Sequence, residues 1–321
     1  MLVCHTCGGD LVEEAHFCPR CGAAVSLTAN EDALIGRVIN GAYRIEQSIG
    51  VGGMGRVYRA NQTMLGRTVA IKVIHQHLLG DEASVARFYT EARAASRLNH
   101  PNSVSIIDFG RTDDGLLHLV MEYLHGHDLA MVMQEEGPFS FARICRILES
   151  VLAALAEAHE LSVVHRDLKP ENIILQRQRR GGDFVKVVDF GLAKILEPTA
   201  TSVTSPGLVC GTPDYMSPEQ ARGEDIDGRG DLYSVGVLLF ELLTGRLPFE
   251  DETPTKVALR HLTEPVPDPR QVAPLRNIPD KLAQITLRAL SKDREDRYAT
   301  ADEMAAEIRQ VLDSLKSGAD E

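Results

Sequence analysis

The sequence predicts an α+β protein, in which a β-rich part precedes a larger, mainly helical part, behind a short cysteine-containing head. Three features lead to this prediction. Short strand patterns separated by glycine turns occupy residues 43–74. Long apolar stripes at helical spacing follow, most clearly in residues 141–160. Four of the six cysteines lie within the first 21 residues, ahead of both parts.

Length, charge and hydropathy exclude several classes of protein. With 321 residues, 44% of them hydrophobic, the chain can bury a large core and predicts about two domains. The net charge of −12 argues against nucleic acid or an anionic membrane as the main partner. No apolar run approaches the roughly 18 residues that cross a bilayer, and the N-terminus lacks the basic and apolar regions of a signal peptide. We therefore expect a cytoplasmic protein without a membrane span.

The cysteines of the head form two CxxC pairs, each followed by glycine: Cys4, Cys7, Cys18 and Cys21. Four thiolates in this pattern suit tetrahedral Zn²⁺, although the ten residues between the pairs are fewer than in the commonest zinc spacing. Disulfides are the alternative, which a reducing cytoplasm disfavours, and a thioredoxin-like motif would need a βαβ context. His5 and His16 are either substitute ligands or surface residues.

This head resembles the short zinc-ribbon heads (CxxCG…FCPxCG) of many bacterial proteins. We assign the ribbon, with a structural Zn²⁺, to residues 1–24 and a linker to residues 25–34. Residues 1–33 contain one basic residue, Arg20, whereas a phosphate-binding surface needs clustered lysine and arginine. We therefore expect the head to bind a protein partner or to cap the structure, and not to bind nucleic acid.

A glycine turn, GVGGMG at residues 50–55, lies between two strand patterns, YRIEQSI and RVYRA. Glycine lets the backbone approach phosphate oxygens and present its N–H groups to them, although a plain flexible hairpin is the alternative. Strands on both sides disfavour a dinucleotide-binding fingerprint, which needs a helix after the turn. The next strand, TVAIKVI, contains Lys72, which either faces outward or holds phosphates.

The remaining elements alternate between apolar patterns and charged residues. Residues 84–98 predict a helix whose apolar stripe adjoins Glu91, a carboxylate that would need a cationic partner. The strand pattern LLHLVMEYL and the amphipathic helix of residues 141–160 follow. A charged segment, residues 165–172, then lies between apolar runs, and the buried strand pattern VKVVDFG ends at Asp189. A nearly all-apolar helix begins at Asp231 and stops at Gly245.

These motifs occur in the order of the protein-kinase template: glycine turn, strand lysine, helix glutamate, Asp167 with Asn172, and Asp189-Phe190-Gly191. Over about residues 43–313 the chain resembles the eukaryotic-like bacterial serine/threonine protein kinases, which share its GxGGMGxVY turn. The resemblance implies the bilobal protein kinase fold. Its small antiparallel β-rich N-lobe would comprise residues 35–125 and its larger, mainly helical C-lobe residues 126–316, before a polar tail at 317–321.

The resemblance also implies a site for ATP and Mg²⁺ or Mn²⁺ between the lobes. Lys72 would contact the α- and β-phosphates while Glu91 holds its ammonium group. Met121 would be the gatekeeper, and Asp128 would contact the ribose. The full set implied to bind the nucleotide is Gly50, Gly52, Gly53, Gly55, Val57, Ala70, Lys72, Met121, Glu122, Leu124, Asp128 and Ile174. Asn172 and Asp189, which offer hard oxygen donors, would bind the metal.

The catalytic residues implied by the resemblance are Asp167, Lys169, Lys72, Glu91 and Thr212. Asp167 would orient the substrate hydroxyl, and Lys169 would steady the γ-phosphoryl group. Thr212 would reach Asp167 from the docking loop GTPDYMSPE, where Glu219 would pair with Arg297. His165 is the alternative general base, but the family places it in the core behind Phe190.

Between Asp189 and Glu219, residues 199–205 contain five serine and threonine residues: Thr199, Thr201, Ser202, Thr204 and Ser205. It is either an ordinary polar loop or a site of autophosphorylation, for which a homodimer would bring two copies together. Arg166, with Arg87 one helical turn before Glu91, is suited to a phosphorylated loop. We expect autophosphorylation at Thr201 or Thr204.

The expected function is transfer of the γ-phosphoryl group of ATP to serine and threonine hydroxyls of protein substrates. A pseudokinase or a zinc-ribbon signalling scaffold is the alternative, but it would normally lack Lys72, Asp167 or Asp189. A small-molecule kinase would lack the docking loop. We expect Cys145 in the core and a capping box from Thr300 to Glu303. Cys210 is expected to be a plain small residue, with a redox-sensitive thiol as the alternative, and residues 177–183 a solvated hairpin, with an interaction patch as the alternative.

Overall fold

The computed structural model of the chain describes residues 32–75, 82–179, 181–191 and 213–317, together with the backbone of four residues near the N-terminus. Those four form two short antiparallel strands, β1 (Leu2–Val3) and β2 (Asp10–Leu11). The four cysteines predicted to bind zinc, Cys4, Cys7, Cys18 and Cys21, lie outside the described residues, as do His5, His16 and Cys210.

Six antiparallel strands and one helix form the first lobe. They are β3 (Val38–Ile39), β4 (Tyr43–Gly52), β5 (Gly55–Gln62), β6 (Arg67–Ile74), α1 (Glu82–Ala95), β7 (Ile106–Arg111) and β8 (Leu117–Glu122). The spatial order of the sheet is β3–β4–β5–β6–β8–β7. Because side chains alternate along a strand, β6 places Val69 and Ile71 in one apolar cluster and Ala70 in another, on the face that packs against α1. The predicted β-rich lobe is confirmed.

The second lobe is mainly helical. Its elements are β9 (His127–Asp128), α2 (Leu129–Glu136), α3 (Phe141–Glu160), β10 (Ile173–Arg177), β11 (Asp183–Val187), α4 (Pro218–Arg222), α5 (Gly228–Thr244), α6 (Pro254–Thr263), α7 (Pro269–Val272), α8 (Asp280–Ala289) and α9 (Ala301–Ser317). The three strands form a small sheet in the order β11–β10–β9. In the parts of the chain that the structure describes, no helix is long and apolar enough to cross a bilayer.

Helix α5 is the centre of this lobe, since nearly every residue from Gly230 to Leu243 is buried. It begins three residues before the predicted start, with Asp227 as its N-cap accepting a hydrogen bond from Arg229 N–H at 2.9 Å. Two early glycines obscured that start in the sequence. Gly230 is needed there because a Cβ at this position would lie 2.8 Å from Ile226. The predicted end, Gly245 in the left-handed region, is confirmed.

Smaller predictions for the second lobe also have clear outcomes. Cys145 is fully buried, as predicted, and burial raises the pKa of its thiol to about 11. β10 and β11 form the predicted antiparallel hairpin around residues 178–182. The capping box is half correct: Thr300 Oγ1 accepts from Glu303 N–H at 3.2 Å, but the Glu303 carboxylate accepts from the N–H of Ala299.

The predicted pair between Glu219 and Arg297 is confirmed and is buried. The two guanidinium nitrogens donate to the two carboxylate oxygens at 2.7 and 2.8 Å, and each residue is only 2% exposed. Burial alone would raise the pKa of Glu219, but the hydrogen bonds and charge of Arg297 hold it below its usual value. The pair fastens α4 to the segment before α9.

We predict that Arg297→Met lowers the free energy of unfolding by about 3–5 kcal/mol, because it leaves the Glu219 carboxylate buried without its partner. Urea unfolding at neutral pH measures this loss. Arg270→Met is the matched control, since Arg270 forms the same two-bonded pair with Asp268 at the surface. The control should lose less than about 1 kcal/mol. Equal losses in the two variants would contradict the prediction.

Candidate active site

The charged segment predicted to be functional is held by one buried carboxylate, that of Asp231 in α5. The N–H groups of His165 and Arg166 donate to its two oxygens, each at 2.8 Å. The carbonyl of Arg166 accepts from Gln220 Nε2 at 2.6 Å. These bonds hold Arg166 at φ 68°, a left-handed conformation that a non-glycine residue keeps only when its surroundings fix it.

Asp231 remains ionised in this position. It is 1% exposed, and burial pushes its pKa upward. The hydrogen bond from His159 at 2.8 Å, the electrostatic attraction of that ring and the hydrogen bond from Arg166 N–H outweigh burial and hold the pKa of Asp231 below its usual value. The sequence indicated Asp231 only as a helix start, and its role was missed. The available signal was an acid at the start of a nearly all-apolar run of residues.

His165 is a core residue, and the general-base alternative is wrong. It is fully buried, and its ring meets the edge of Phe190 at 4.9 Å between centroids. Its Nδ1 accepts from the N–H of Asp167 at 3.3 Å, so we assign the proton to Nε2, which donates to the Val188 carbonyl at 2.8 Å. One ring nitrogen therefore ties the loop of residues 165–172 to the residue that follows β11, and the other braces the loop internally at Asp167.

Asp167 reaches the surface of the cleft, with 34% of its side chain exposed. Lys169 Nζ lies 2.9 Å from its Oδ2. Asn172 Nδ2 donates to the Asp167 carbonyl at 2.7 Å and more weakly to Oδ2 at 3.3 Å. The short 3₁₀ turn Pro170–Asn172 brings the amide back to the aspartate. The structure thus groups three predicted site residues from one loop.

Asp189 follows β11 and has φ 64°, which turns its carboxylate toward the first lobe. There it accepts from Lys72 Nζ at 2.8 Å, and Lys72 is 5% exposed. The predicted contact between Lys72 and Glu91 is not formed, which is a correction to the sequence prediction. Helix α1 instead places Glu91 Oε2 beside Gly191, where a Cβ would lie 3.4 Å from it. The ammonium group of Lys72 bonds to the carboxylate of Asp189 in its place.

Beside Lys72 lies an apolar cluster built on adjacent strands. Ala70 and Met121 are paired across β6 and β8 and are both buried. Val57 of β5 and Leu124 after β8 are partly buried in the same cluster. The structure thus brings together four of the residues predicted to surround an adenine ring.

The other predicted contacts of the nucleotide lie where the two lobes join. The side chain of Glu122 accepts from Lys186 Nζ of β11 at 2.6 Å and from the N–H of Ser105 at 2.8 Å. Asp128 is paired with Ile174 across β9 and β10. One oxygen of Asp128 also accepts from Met131 N–H at 2.8 Å and caps α2, a structural role that the sequence prediction did not include.

The four predicted glycines of the turn differ in their packing. A Cβ at Gly55 would lie 2.1 Å from the Val73 carbonyl oxygen, so β5 could not sit against β6 with a side chain there. Around Gly50, Gly52 and Gly53, a Cβ would meet nothing among the described residues closer than 3.8 Å. Packing therefore requires glycine only at Gly55. Thr212, predicted to reach Asp167, lies outside the described residues.

Comparisons with known proteins agree with this geometry. A family model described as "Protein kinase domain" matches residues 43–309. The chain is 50% identical over 286 residues to the serine/threonine-protein kinase pkn3 of Myxococcus xanthus, covering 88% of this chain and 52% of that protein. It is 41% identical over 281 residues to the serine/threonine-protein kinase PrkC of Bacillus subtilis, covering 88% and 42%. The chain thus spans about half or less of these relatives.

A solved structure gives the same picture. The crystal structure of the Mycobacterium tuberculosis PknI kinase domain aligns with a TM-score of 0.68 at 26% identity. The alignment covers 86% of this chain and 98% of that one.

We predict that Gly55→Ala destabilises the protein by about 1–3 kcal/mol, because the new methyl group would force β5 away from Val73. Gly53→Ala, in the same turn but with open space around it, should change stability by less than about 0.5 kcal/mol. Urea unfolding of both variants measures the difference. Equal stability of the two variants would show that the strand has room at Gly55.

Proposed function

The chain belongs to the protein kinase family, and on that basis we propose that it transfers the γ-phosphoryl group of ATP to serine and threonine hydroxyls of protein substrates. The observation that carries the proposal is a pair of contact groups among five predicted site residues: Lys72 bonds Asp189, and Asp167 bonds Lys169 and Asn172. A pseudokinase or scaffold is disfavoured, because all three residues that such proteins commonly lose are present.

Asp167 is proposed to accept a hydrogen bond from the substrate hydroxyl and to orient its oxygen toward the γ-phosphorus. Its partial exposure lets a substrate reach it, while Lys169 and Asn172 fix its position. Catalysis of this kind depends mainly on positioning and on neutralising charge. Lys169 supplies one positive charge beside the reacting oxygen, the arrangement that the family resemblance associates with serine and threonine substrates.

Asn172 and Asp189 fit the requirements of Mg²⁺ or Mn²⁺. Both offer oxygen donors, and the amide nitrogen of Asn172 is already bonded to Asp167, which directs its Oδ1 elsewhere. When bound, the ion would offset the charge of the ATP phosphates. A shift of Lys72 from Asp189 toward Glu91 would release the Asp189 carboxylate for this role. We propose that this change in the partner of Lys72 brings Lys72 and Asp189 into position for phosphoryl transfer.

The nucleotide is proposed to lie beneath the turn of Gly50, Gly52, Gly53 and Gly55. Its adenine would pack among Val57, Ala70, Met121, Leu124 and Ile174. The backbone groups of Glu122 and Leu124 would meet the adenine edge, and the second oxygen of Asp128 would face the ribose. Packing does not require glycine at residues 50, 52 and 53. This supports the proposal that the phosphates of ATP approach the backbone closely there.

Phosphorylation of a generic basic protein with labelled ATP tests this function. Wild-type protein should label it, and Asp167→Asn should lower the rate by about 10²–10⁴-fold while ATP–Mg²⁺ binding, measured by calorimetry, persists. Asp113→Asn makes the same chemical change at an exposed turn and should leave the rate unaltered. Labelling by Asp167→Asn at the wild-type rate, or none by the wild type, would refute the proposal.

Autophosphorylation between residues 199 and 205, at Thr201 or Thr204, is proposed to activate the enzyme, through encounter of two copies. These residues lie outside the described residues. Support comes from Arg87, whose Nη2 bonds Ser84 at 2.7 Å while its buried Nε has no hydrogen-bond partner among the described residues. A phosphate would supply that acceptor. Mass spectrometry should find phosphate in this segment of the wild type but not of Asp167→Asn, and its absence from active enzyme would refute the site.

The head is proposed to be a zinc ribbon that docks a protein partner, in a chain that works in the cytoplasm, where thiols stay reduced. We predict one zinc per chain by elemental analysis, and its loss in a Cys4→Ser/Cys18→Ser variant. Cys210→Ser, which changes a cysteine outside both pairs, should retain the metal. Zinc-free wild-type protein prepared without chelator would contradict this.

A further inference from the structure

Asp32, near the end of the predicted linker, is bound to the sheet of the first lobe. Its Oδ2 accepts hydrogen bonds from Arg56 Nη1 and from the Tyr58 hydroxyl, each at 2.8 Å. Its Oδ1 accepts from the N–H of Leu34 at 3.2 Å. The side chain is 15% exposed. One carboxylate therefore joins the segment before β3 to two residues of a single strand.

That strand is β5, which leads directly out of the glycine turn. Arg56 follows Gly55 and lies opposite Val51 in the β4–β5 hairpin. Because side chains alternate, Arg56 and Tyr58 lie on one face of β5, and Val57 lies on the other, against the pocket proposed for adenine. Asp32 thus contacts one face of β5, and the opposite face is the one proposed to contact ATP.

The protonation states of Asp32 and Tyr58 favour the hydrogen bond between them. Burial raises the pKa of Asp32, but the hydrogen bonds from Tyr58, Leu34 N–H and Arg56 outweigh it and hold the pKa below its usual value. Burial and the hydrogen bond to Asp32 raise the pKa of Tyr58 to about 12. At neutral pH the aspartate is therefore an ionised acceptor and the tyrosine a protonated donor.

The start of β5 also has little freedom to move independently of its neighbours. The close approach of Gly55 to the Val73 carbonyl seats the first residue of the strand on β6. Arg56 is the next residue, and it lies opposite Val51 on the strand that enters the same turn. A carboxylate that fixes Arg56 from behind therefore fixes the base of the turn at residues 50–55.

We propose that Asp32 is a positioning residue for phosphoryl transfer, which acts through Arg56 and Tyr58 to hold the glycine turn where its N–H groups meet the ATP phosphates. The inference rests on the proposed function. Asp32 itself touches neither nucleotide nor substrate, so its loss should weaken the hold on the phosphates and leave the adenine pocket intact.

The test compares Asp32→Asn with wild-type full-length protein. The KM for ATP should rise about three- to tenfold, while kcat falls by less than about twofold, because the lost restraint acts on ground state and transition state alike. By calorimetry, the Kd for ATP–Mg²⁺ should rise by a similar factor, and the Kd for adenosine, which has no phosphates, should not change. Asp32→Glu should restore part of the ATP affinity.

Arg37→Gln is the matched control. Arg37 anchors the same segment through two bonds to Asp114, at 2.8 and 2.5 Å, in the turn between β7 and β8. It should leave both affinities unchanged. The proposal is overturned if Asp32→Asn leaves ATP affinity unaltered, if it weakens adenosine and ATP equally, or if Arg37→Gln has the same effect. A wild type that binds both ligands without phosphorylating protein would refute the function alone, since the affinities would still test Asp32.

Discussion

The position of the catalytic loop depends on one buried carboxylate at the first turn of the central helix. Asp231 accepts two consecutive backbone N–H groups, of His165 and Arg166, and a third bond from His159 at the end of α3. Helix α5 is buried within its lobe, so the loop is anchored to the hydrophobic core through Asp231. The left-handed turn at Arg166 then directs Asp167 to the cleft.

The other half of the site is positioned by contacts between the lobes. Lys186 of β11 bonds the Glu122 side chain and the Ser103 carbonyl, so the strand that leads to Asp189 is tied to the edge of the first lobe. His165 bonds the backbone just after this strand, at Val188. The two carboxylates proposed for catalysis and metal binding, Asp167 and Asp189, are thus held relative to each other through one histidine.

Much of this arrangement could be predicted from local sequence. The apolar stripe of α3 gave both of its ends, because the helix is amphipathic and begins directly after its N-cap, Ser140. The pair of Glu219 with Arg297 followed from the family resemblance. The head and the loop with Thr212 lie outside the described residues, so the predictions for them stay predictions.

What could not be predicted depends on distances between elements. The partner of Lys72 is decided by where α1 sits and by the backbone angle at Asp189, neither of which leaves a pattern in the sequence. Asp32 looked like a polar linker residue because its partners are 24 and 26 residues away. The sequence shows Asp231 as an acid at a helix start. Its partners in the loop, however, are the backbone N–H groups of His165 and Arg166, which leave no side-chain pattern in the sequence.

The most direct test of the dependence on Asp231 is amide hydrogen exchange in Asp231→Asn. If the carboxylate holds the loop, exchange at His165 and Arg166 should become about 10–100-fold faster, as expected for the loss of hydrogen bonds to a charged acceptor. Amides in the interior of α5 should keep their wild-type protection. Unchanged protection at both loop residues would contradict the account, as would an equal loss throughout α5.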